Sequence, residues 1–425
     1  VPDQHIFCNT PWFEAHVYWD GSLGVCCQER HKLYPDTDTG YNIRDMGLLE
    51  WTRSQPVQQF REQILGDSPL SACTKCYQEE AAGGISRRLR ANLKSVIFTR
   101  QAFDHSWQQS PHRERFTPVT SQTPVDLHID LGNFCNLTCK MCHAGASSRI
   151  AQQQVIWGNT DSKKFVGQDW TRDRTTWNQF LEDLLELPNL ENLHFMGGET
   201  VLTPRFAELL DWLIQHKRTD IRISFVTNGT RWRDDVMSRL SQFRGVGAEI
   251  SIESVTAHND YVRQGSDTQQ VLQNIARYQA WANGESHTVT LRSAPQALTM
   301  GSYHTLLNWA LEQRLIIKAN VCMRPEFMQV RVLPQSVREQ YRVPYQDLVA
   351  RLSNVDINGD YNTSDPNAVE HSVKEQAQLS LGLLSQPAPV NQSQLLQQLF
   401  QHCAQWDTVG TMQFAEIYPE LLNHE

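Results

Sequence analysis

The 425-residue chain lacks any run of about 18 consecutive apolar residues, the length a membrane-crossing helix requires. It has no phosphate-cradling Gly-rich loop ending in Lys-Ser/Thr, and no Ser/His/Asp set in a supporting context. Its opening stretch, VPDQHIFCNT, is without the basic and apolar regions of a secretory signal. Basic charge is not in excess either. The 38 Lys and Arg stand against 47 Asp and Glu, a formal net charge of −9, which argues against a protein that coats nucleic acid. These absences lead to the expectation of a cytoplasmic, reduced protein with no membrane and no nucleic-acid partner.

What the chain does have is cysteine, ten in all, and they come in groups. Cys8 stands alone, Cys26 and Cys27 adjoin, Cys73 and Cys76 form a pair, and Cys135, Cys139 and Cys142 fall within eight positions; Cys322 and Cys403 are isolated. Disulfide frameworks belong to short secreted chains. Grouping in a long chain without a secretory signal points to metal ligation instead.

From about residue 125 onward, apolar β-branched runs alternate with segments of helical period. Strands are predicted at 125–131, 191–196, 221–227, 248–254, 287–293 and 316–323. Helices are predicted in WNQFLEDLLEL, RFAELLDWLIQH, DDVMSRLSQF, QQVLQNIARYQAWA and HTLLNWALEQR. Six β/α units in a row imply a parallel sheet with helical crossovers, an α/β fold that stops short of the eight units of a closed TIM barrel. The expected division is a Cys-rich domain at 1–124, a partial (β/α)6 TIM-like barrel at 125–334 and a helical region at 335–425, interrupted by the polar loop NVDINGDYNTSDPN. One basic segment, RRLRANLK, sets Arg87, Arg90 and Lys94 on one helix face; a solvated face is expected, an anion-binding face the alternative.

In parallel β/α architectures the loops after the strands build the active site. The cysteine triplet follows the first predicted strand. Gly197, Gly198 and Glu199 follow the second, and Thr227, Asn228, Gly229 and Thr230 close the third. Ser251 and Glu253 lie late in the fourth, Arg292 and Ser293 end the fifth, and Cys322 ends the sixth. Each motif alone reads as an ordinary turn; together they mark one end of the sheet. Three thiolates leave a metal group one ligand short. Structural zinc closes with four ligands, and a 4Fe–4S cluster is also normally held by four cysteines. His143 adjoins Cys142 and cannot easily complete a tetrahedron with it.

Cys-x3-Cys-x2-Cys after the first strand of a β/α barrel resembles the signature of the radical S-adenosylmethionine (radical SAM) superfamily. The resemblance covers roughly residues 125–330 and supplies the missing ligand: in that family S-adenosylmethionine chelates the open iron of the 4Fe–4S cluster. Reductive cleavage then yields a 5′-deoxyadenosyl radical that takes a hydrogen atom from the substrate. By the same resemblance Cys135, Cys139 and Cys142 hold the cluster, and Gly197, Gly198 and Glu199 hold the methionine amino group. Ser251 contacts polar groups of the ligand, Arg263 pairs with the methionine carboxylate, and Asn228 and Glu253 lie toward the ribose. Met141 stands where an aromatic residue often packs near the adenine. Glu253–Ser254 replaces the Asp–Gly common in relatives.

Cys8-x12-Gly21-x4-Cys26, followed by Cys73-x2-Cys76, resembles the auxiliary-cluster element of SPASM and twitch domains in that superfamily, although here it precedes the barrel. The resemblance implies a second 4Fe–4S cluster on Cys8, Cys26, Cys73 and Cys76. Cys27 is an alternative to Cys26, and a zinc ribbon an alternative to the cluster. The function so implied is radical SAM modification of a ribosomally made peptide or protein, with an electron donor such as flavodoxin or ferredoxin. The same chemistry on a sugar, nucleotide or amino acid derivative is the first rival; a non-catalytic metal-binding module is the second. Cys322, facing the expected site, is a candidate hydrogen-atom donor.

Overall fold

A computed structural model of the protein describes residues 6–28, 41–66, 68–94, 116–167, 169–282, 286–357 and 365–424. All six expected strands are present: β3 (Asp126–Asp130), β4 (Asn192–Met196), β5 (Arg222–Thr227), β6 (Gly245–Ser251), β7 (His287–Ser293) and β8 (Ile316–Ala319). They pair in chain order, every neighbour parallel. The five expected crossover helices are also found, with boundaries within a few residues. Pro204–Gln215 shows why they form. Proline opens the first turn, where its missing N–H costs nothing, and Phe206, Leu209, Leu210 and Leu213 make one buried stripe. Asp173 and Asp267 cap two further helices, their side chains accepting from the backbone N–H of Thr176 and Gln270.

In β3, β4 and β5 the buried apolar residues share one face. Leu127 and Ile129, Leu193 and Phe195, and Ile223 and Phe225 are fully buried in the same apolar core as the helix stripes. This is the outer layer of the barrel. Polar residues alternate with them and point the other way, into the concave side.

The sheet holds one element that the periodicity did not reveal. β1 (Glu14–Val17) comes from the N-terminal region and pairs parallel with β3, Glu14 opposite Asp126 and Val17 opposite Ile129. It carries a short antiparallel partner, β2 (Leu23–Gly24). The sheet order is therefore β2-β1-β3-β4-β5-β6-β7-β8. At the far edge, the helix Ala368–Ser385 packs on β8, and the N–H of Ile317 donates to Ser372 Oγ at 3.2 Å. A covered edge is protected from pairing with other chains.

The basic segment forms a helix, Arg87–Lys94, but its arginines are not solvated. Arg87 meets Glu14 at 2.5 Å, Arg88 meets Glu80 at 2.5 Å and Arg90 meets Glu375 at 2.5 Å. The helix is a clamp joining β1, its own neighbourhood and the C-terminal helices; the Lys94 side chain and residues 358–364 of the polar loop lie outside the described residues. Among the described residues no helix is long and apolar enough to cross a membrane.

Candidate active site

The cysteine triplet lies on the loop that leaves β3, and the loop is tied down residue by residue. The N–H groups of Thr138 and Lys140 donate to the carbonyls of Gln264 and Val262 at 3.0 and 2.8 Å, fixing it against the turn that carries Arg263. Ser147 Oγ donates to the Leu137 carbonyl at 2.8 Å, and Asn133 holds the carbonyls of Ala144 and Phe165. Cys139 is buried, with Cys135 and Cys142 partly so. Burial pushes each thiol up to about 12, and each is raised further by the negative charge of another member of the set. Three mutually repelling thiolates in one buried place require positive charge. The side chain on hand is Arg263, whose Nη1 lies 4.0 Å from Cys139 Sγ. Among the described residues no three His, Cys, Asp or Glu side chains converge tightly enough to grip a single ion. The donor set fits a group with several metal corners, each taking one thiolate.

The other motifs gather round this loop. The N–H of Glu199 donates to the carbonyl of Phe134 at 2.6 Å, so the Gly197–Glu199 turn and the residue before Cys135 touch directly. Gly198 has φ +56°, and a Cβ there would fall 2.4 Å from that carbonyl; only glycine permits the contact. Glu199 is buried, and its carboxylate accepts from Thr227 Oγ1 at 2.5 Å and from the N–H of Asn228 at 2.6 Å. Asn228 in turn donates to Asn136 Oδ1 at 2.8 Å, inside the cysteine loop. Glu253, also buried, accepts from Arg263 at 3.1 and 2.6 Å and from the N–H of Ala294 at 2.7 Å. Cys322 lies three residues past β8, donating to the Arg324 carbonyl at 3.3 Å. Burial raises its thiol to about 11, with Lys75 lowering and Glu253 raising it, so it sits between the N-terminal region and the Glu253–Arg263 pair. Ser251 ends β6, and Met141 packs partly buried against the core.

In the N-terminal region Cys8, Cys26, Cys73 and Cys76 line one cavity, walled by Pro11, Phe60, Ile64 and Ala72. Burial raises all four thiols, Cys73 to about 12 and Cys76 to about 11. Cys27 does not line the cavity. After burial, the charges that act on it are those of Arg87, Glu14, Lys75 and Asp130. Lys75, between the paired cysteines, donates to Asn320 Oδ1 beyond β8 at 2.6 Å. This bond ties the segment that carries Cys73 and Cys76 to the loop after β8, which reaches Cys322 three residues past the strand.

Residues 129–281 match the radical SAM superfamily, and residues 8–77 match SPASM, an iron–sulfur cluster-binding domain. The chain carries a radical SAM domain. Mycofactocin maturase MftC of Mycobacterium ulcerans is 31% identical over 157 residues, 36% of this chain and 37% of that protein. Sporulation killing factor maturation protein SkfB of Bacillus subtilis is 23% identical over 145 residues, 34% of this chain and 30% of that protein. The chain spans about a third of the length of these curated relatives. Among solved structures, Streptococcus suis SuiB bound to S-adenosylmethionine aligns over 70% of this chain and 62% of its own, at 12% identity and a TM-score of 0.35.

Within this radical SAM domain, Arg263 is already engaged by Glu253, leaving Nη1 as the donor turned toward the thiols. The carboxylate of Glu199 serves the Thr227–Asn228 turn while retaining lone pairs for a further donor. Sequence reading missed the brace behind the cysteine loop. Lys140 lies 3.6 Å from Asp407 and 4.1 Å from the Tyr261 ring centre, Tyr261 donates to Asp407 at 2.9 Å, and His402 Nε2 donates to the Lys140 carbonyl at 2.9 Å. A lysine between two cluster-type cysteines followed by a distant helix carries no sequence signal for such a contact.

Glu199 makes a pH prediction. Burial raises its carboxyl to about 7, against the hydrogen bonds from Thr227 and Asn228. A pKa raised on folding gives stability that is present below the ordinary carboxylate value and lost as pH climbs through the folded one. The ligand-free protein should therefore lose roughly 3 kcal/mol from this residue between about pH 4.5 and 7. Urea denaturation across that window should show the loss in the parent and not in Glu199→Gln.

Proposed function

We propose that the protein is a radical SAM enzyme that modifies a ribosomally made peptide or protein. In this reading Cys135, Cys139 and Cys142 hold a 4Fe–4S cluster, and Cys8, Cys26, Cys73 and Cys76 hold an auxiliary one. When bound, the first cluster and S-adenosylmethionine supply reductive cleavage to a 5′-deoxyadenosyl radical and abstraction of a substrate hydrogen atom. The chain's own residues organise the place for it. Gly198 lets the Gly197–Glu199 turn close on the Phe134 carbonyl, bringing ammonium-binding carbonyls and the Glu199 carboxylate beside the open side of the triplet. Glu253 holds the Arg263 guanidinium so that its remaining donor faces the thiols, where a carboxylate would be met. Asn228 and Ser251 complete the ligand contacts, with Met141 in the adenine position. Cys322 offers a neutral thiol to a substrate radical.

One observation carries the reading: the direct backbone contact between the Gly-Gly-Glu turn and the cysteine loop, which makes one site of two motifs distant in sequence. The names of the two curated relatives, a maturase and a maturation protein, support a gene-encoded substrate. The electron is proposed to come from a flavodoxin- or ferredoxin-type donor. The test is anaerobic reconstitution with iron counting and an assay for 5′-deoxyadenosine under dithionite. About eight irons per chain, four per cubane, and deoxyadenosine release are expected. A single tetrahedral zinc at the triplet with no deoxyadenosine would refute the proposal.

A further inference from the structure

The barrel interior is not the layered Val/Ile/Leu filling usual for its type. Its concave face carries a row of imidazoles across adjacent strands. His16 of β1 lies 5.8 Å from His128 of β3 between ring centres, His128 lies 4.7 Å from His194 of β4, and His194 Nδ1 meets Ser224 Oγ of β5 at 2.7 Å. Burial keeps His128 and His194 far below the ordinary imidazole range, so both rings are uncharged at neutral pH. Buried polar groups are normally paired, since each unmet one costs free energy. At the β1–β3 end of this row pairing fails. Glu14 Oε2, His16 Nδ1 and Nε2, His128 Nδ1 and Asp130 Oδ1 are buried and have no hydrogen-bond partner among the described residues.

Two carboxylates, Glu14 and Asp130, meet one guanidinium here, that of Arg87, whose Nε is also buried and unpaired among the described residues. Arg87 answers Glu14 at 2.5 Å and also reaches His128 Nε2 at 3.0 Å. His16 Nε2 lies 3.6 Å from Asp130 Oδ1 and His128 Nε2 lies 3.7 Å from Glu14 Oε2, both beyond hydrogen-bond length. Asp130 also lies directly under the Gly197 turn, where a Cβ would meet its own Cβ at 2.8 Å, so it is held at the edge of the proposed reaction site. Asp130 is partly buried, but its Oδ1 is shut off from solvent with no hydrogen-bond partner among the described residues, and one cationic donor reaching that oxygen would satisfy it.

We propose that Asp130, His16 and Glu14 form a recognition pocket for a cationic hydrogen-bond donor of the substrate, an ammonium or guanidinium of lysine or arginine type. The proposal rests on the radical SAM reading, because that reading puts the reacting centre above Asp130. The acceptors come from two strands, one of them supplied by the N-terminal region. Docking of β1 onto the barrel edge is what completes the pocket.

The test uses the reconstituted full chain and N-acetyl-arginine amide, with N-acetyl-norleucine amide as the uncharged control, in titration calorimetry. The parent should bind the arginine derivative and not the control, and Asp130→Asn should weaken that binding about tenfold or more, as loss of a charge-assisted hydrogen bond does. Asp130→Asn should melt no lower than the parent, since its Oδ1 makes no hydrogen bond that the substitution would break. Three results would overturn the proposal: no binding by the parent; a lower melting temperature with unchanged affinity, which would make the carboxylate a structural partner of His16; or displacement of the probe by S-adenosylmethionine, which would assign Asp130 to the cosubstrate's own ammonium. Iron content and deoxyadenosine release are read on the same samples. Their failure would strike the radical reading, while arginine binding judges the pocket.

Discussion

Cys139→Ala, purified and reconstituted without oxygen, should hold about four fewer irons per chain than the parent and release no 5′-deoxyadenosine above background. The expected loss is complete because a cubane with three protein corners has none to spare. Cys139 is also the thiol nearest the Arg263 guanidinium. The loop itself should survive. Apart from the long contact of Arg263 Nη1 with the Cys139 thiol, its hydrogen bonds run through the backbone of Thr138, Lys140 and Cys142 and through Ser147. Its brace is Lys140 with Asp407 and Tyr261. The variant should therefore remain folded, with stability lowered by roughly 1 kcal/mol.

The control is Cys403→Ala. Cys403 is fully buried on the helix Gln392–Asp407, within the packing around Tyr261. Truncating it should lower stability by a similar amount, about 1 kcal/mol, and leave the iron count untouched. Iron loss in the first variant against a full iron count in the second, at a similar small cost in stability, separates a ligand from a core thiol. Full deoxyadenosine release by Cys139→Ala would end the assignment of the triplet.

Much of this architecture was legible in the sequence, and the reason is the strength of its local signals. The runs VDLHIDL, ENLHFM and IRISFVT each end where a polar motif begins, and the rule that loops follow strands to the active site then gathered the Cys, Gly-Gly-Glu and Thr-Asn-Gly motifs correctly. β1 escaped because its four residues lie far from β3 in sequence and no crossover helix of the regular period announces it. The helix Ala368–Ser385 escaped for another reason. It buries Ser372, Lys374, Glu375, Gln376 and Ser380 beside its leucines, so no clean apolar stripe shows. The polar lumen was signalled and passed over. In strands buried on both faces apolar runs are continuous, whereas these alternate: Leu127 and Ile129 with His128, Leu193 and Phe195 with His194. The buried ion pairs Arg263–Glu253 and Lys140–Asp407 at the site join residues whose proximity only the fold creates.

Cys26→Ala and Cys27→Ala should part company, although the two residues adjoin. Cys26 lines the cavity with Cys8, Cys73 and Cys76, and its thiol is raised, after burial, by the neighbouring Cys27, Cys8 and Cys76. The N–H of Gln28 donates to Cys26 Sγ at 3.3 Å, a contact that favours a thiolate there. Cys27 is not in that lining, and after burial the charges that act on it are those of Arg87, Glu14, Lys75 and Asp130. Cys26→Ala should lose about four irons, one cubane's worth, and still release deoxyadenosine, because the triplet on the β3 loop is intact. Cys27→Ala should keep about eight irons and its deoxyadenosine activity. Equal iron in the parent and Cys26→Ala, with the loss appearing in Cys27→Ala, would reverse the assignment and require the turn between β2 and residue 28 to rotate when the metal is bound.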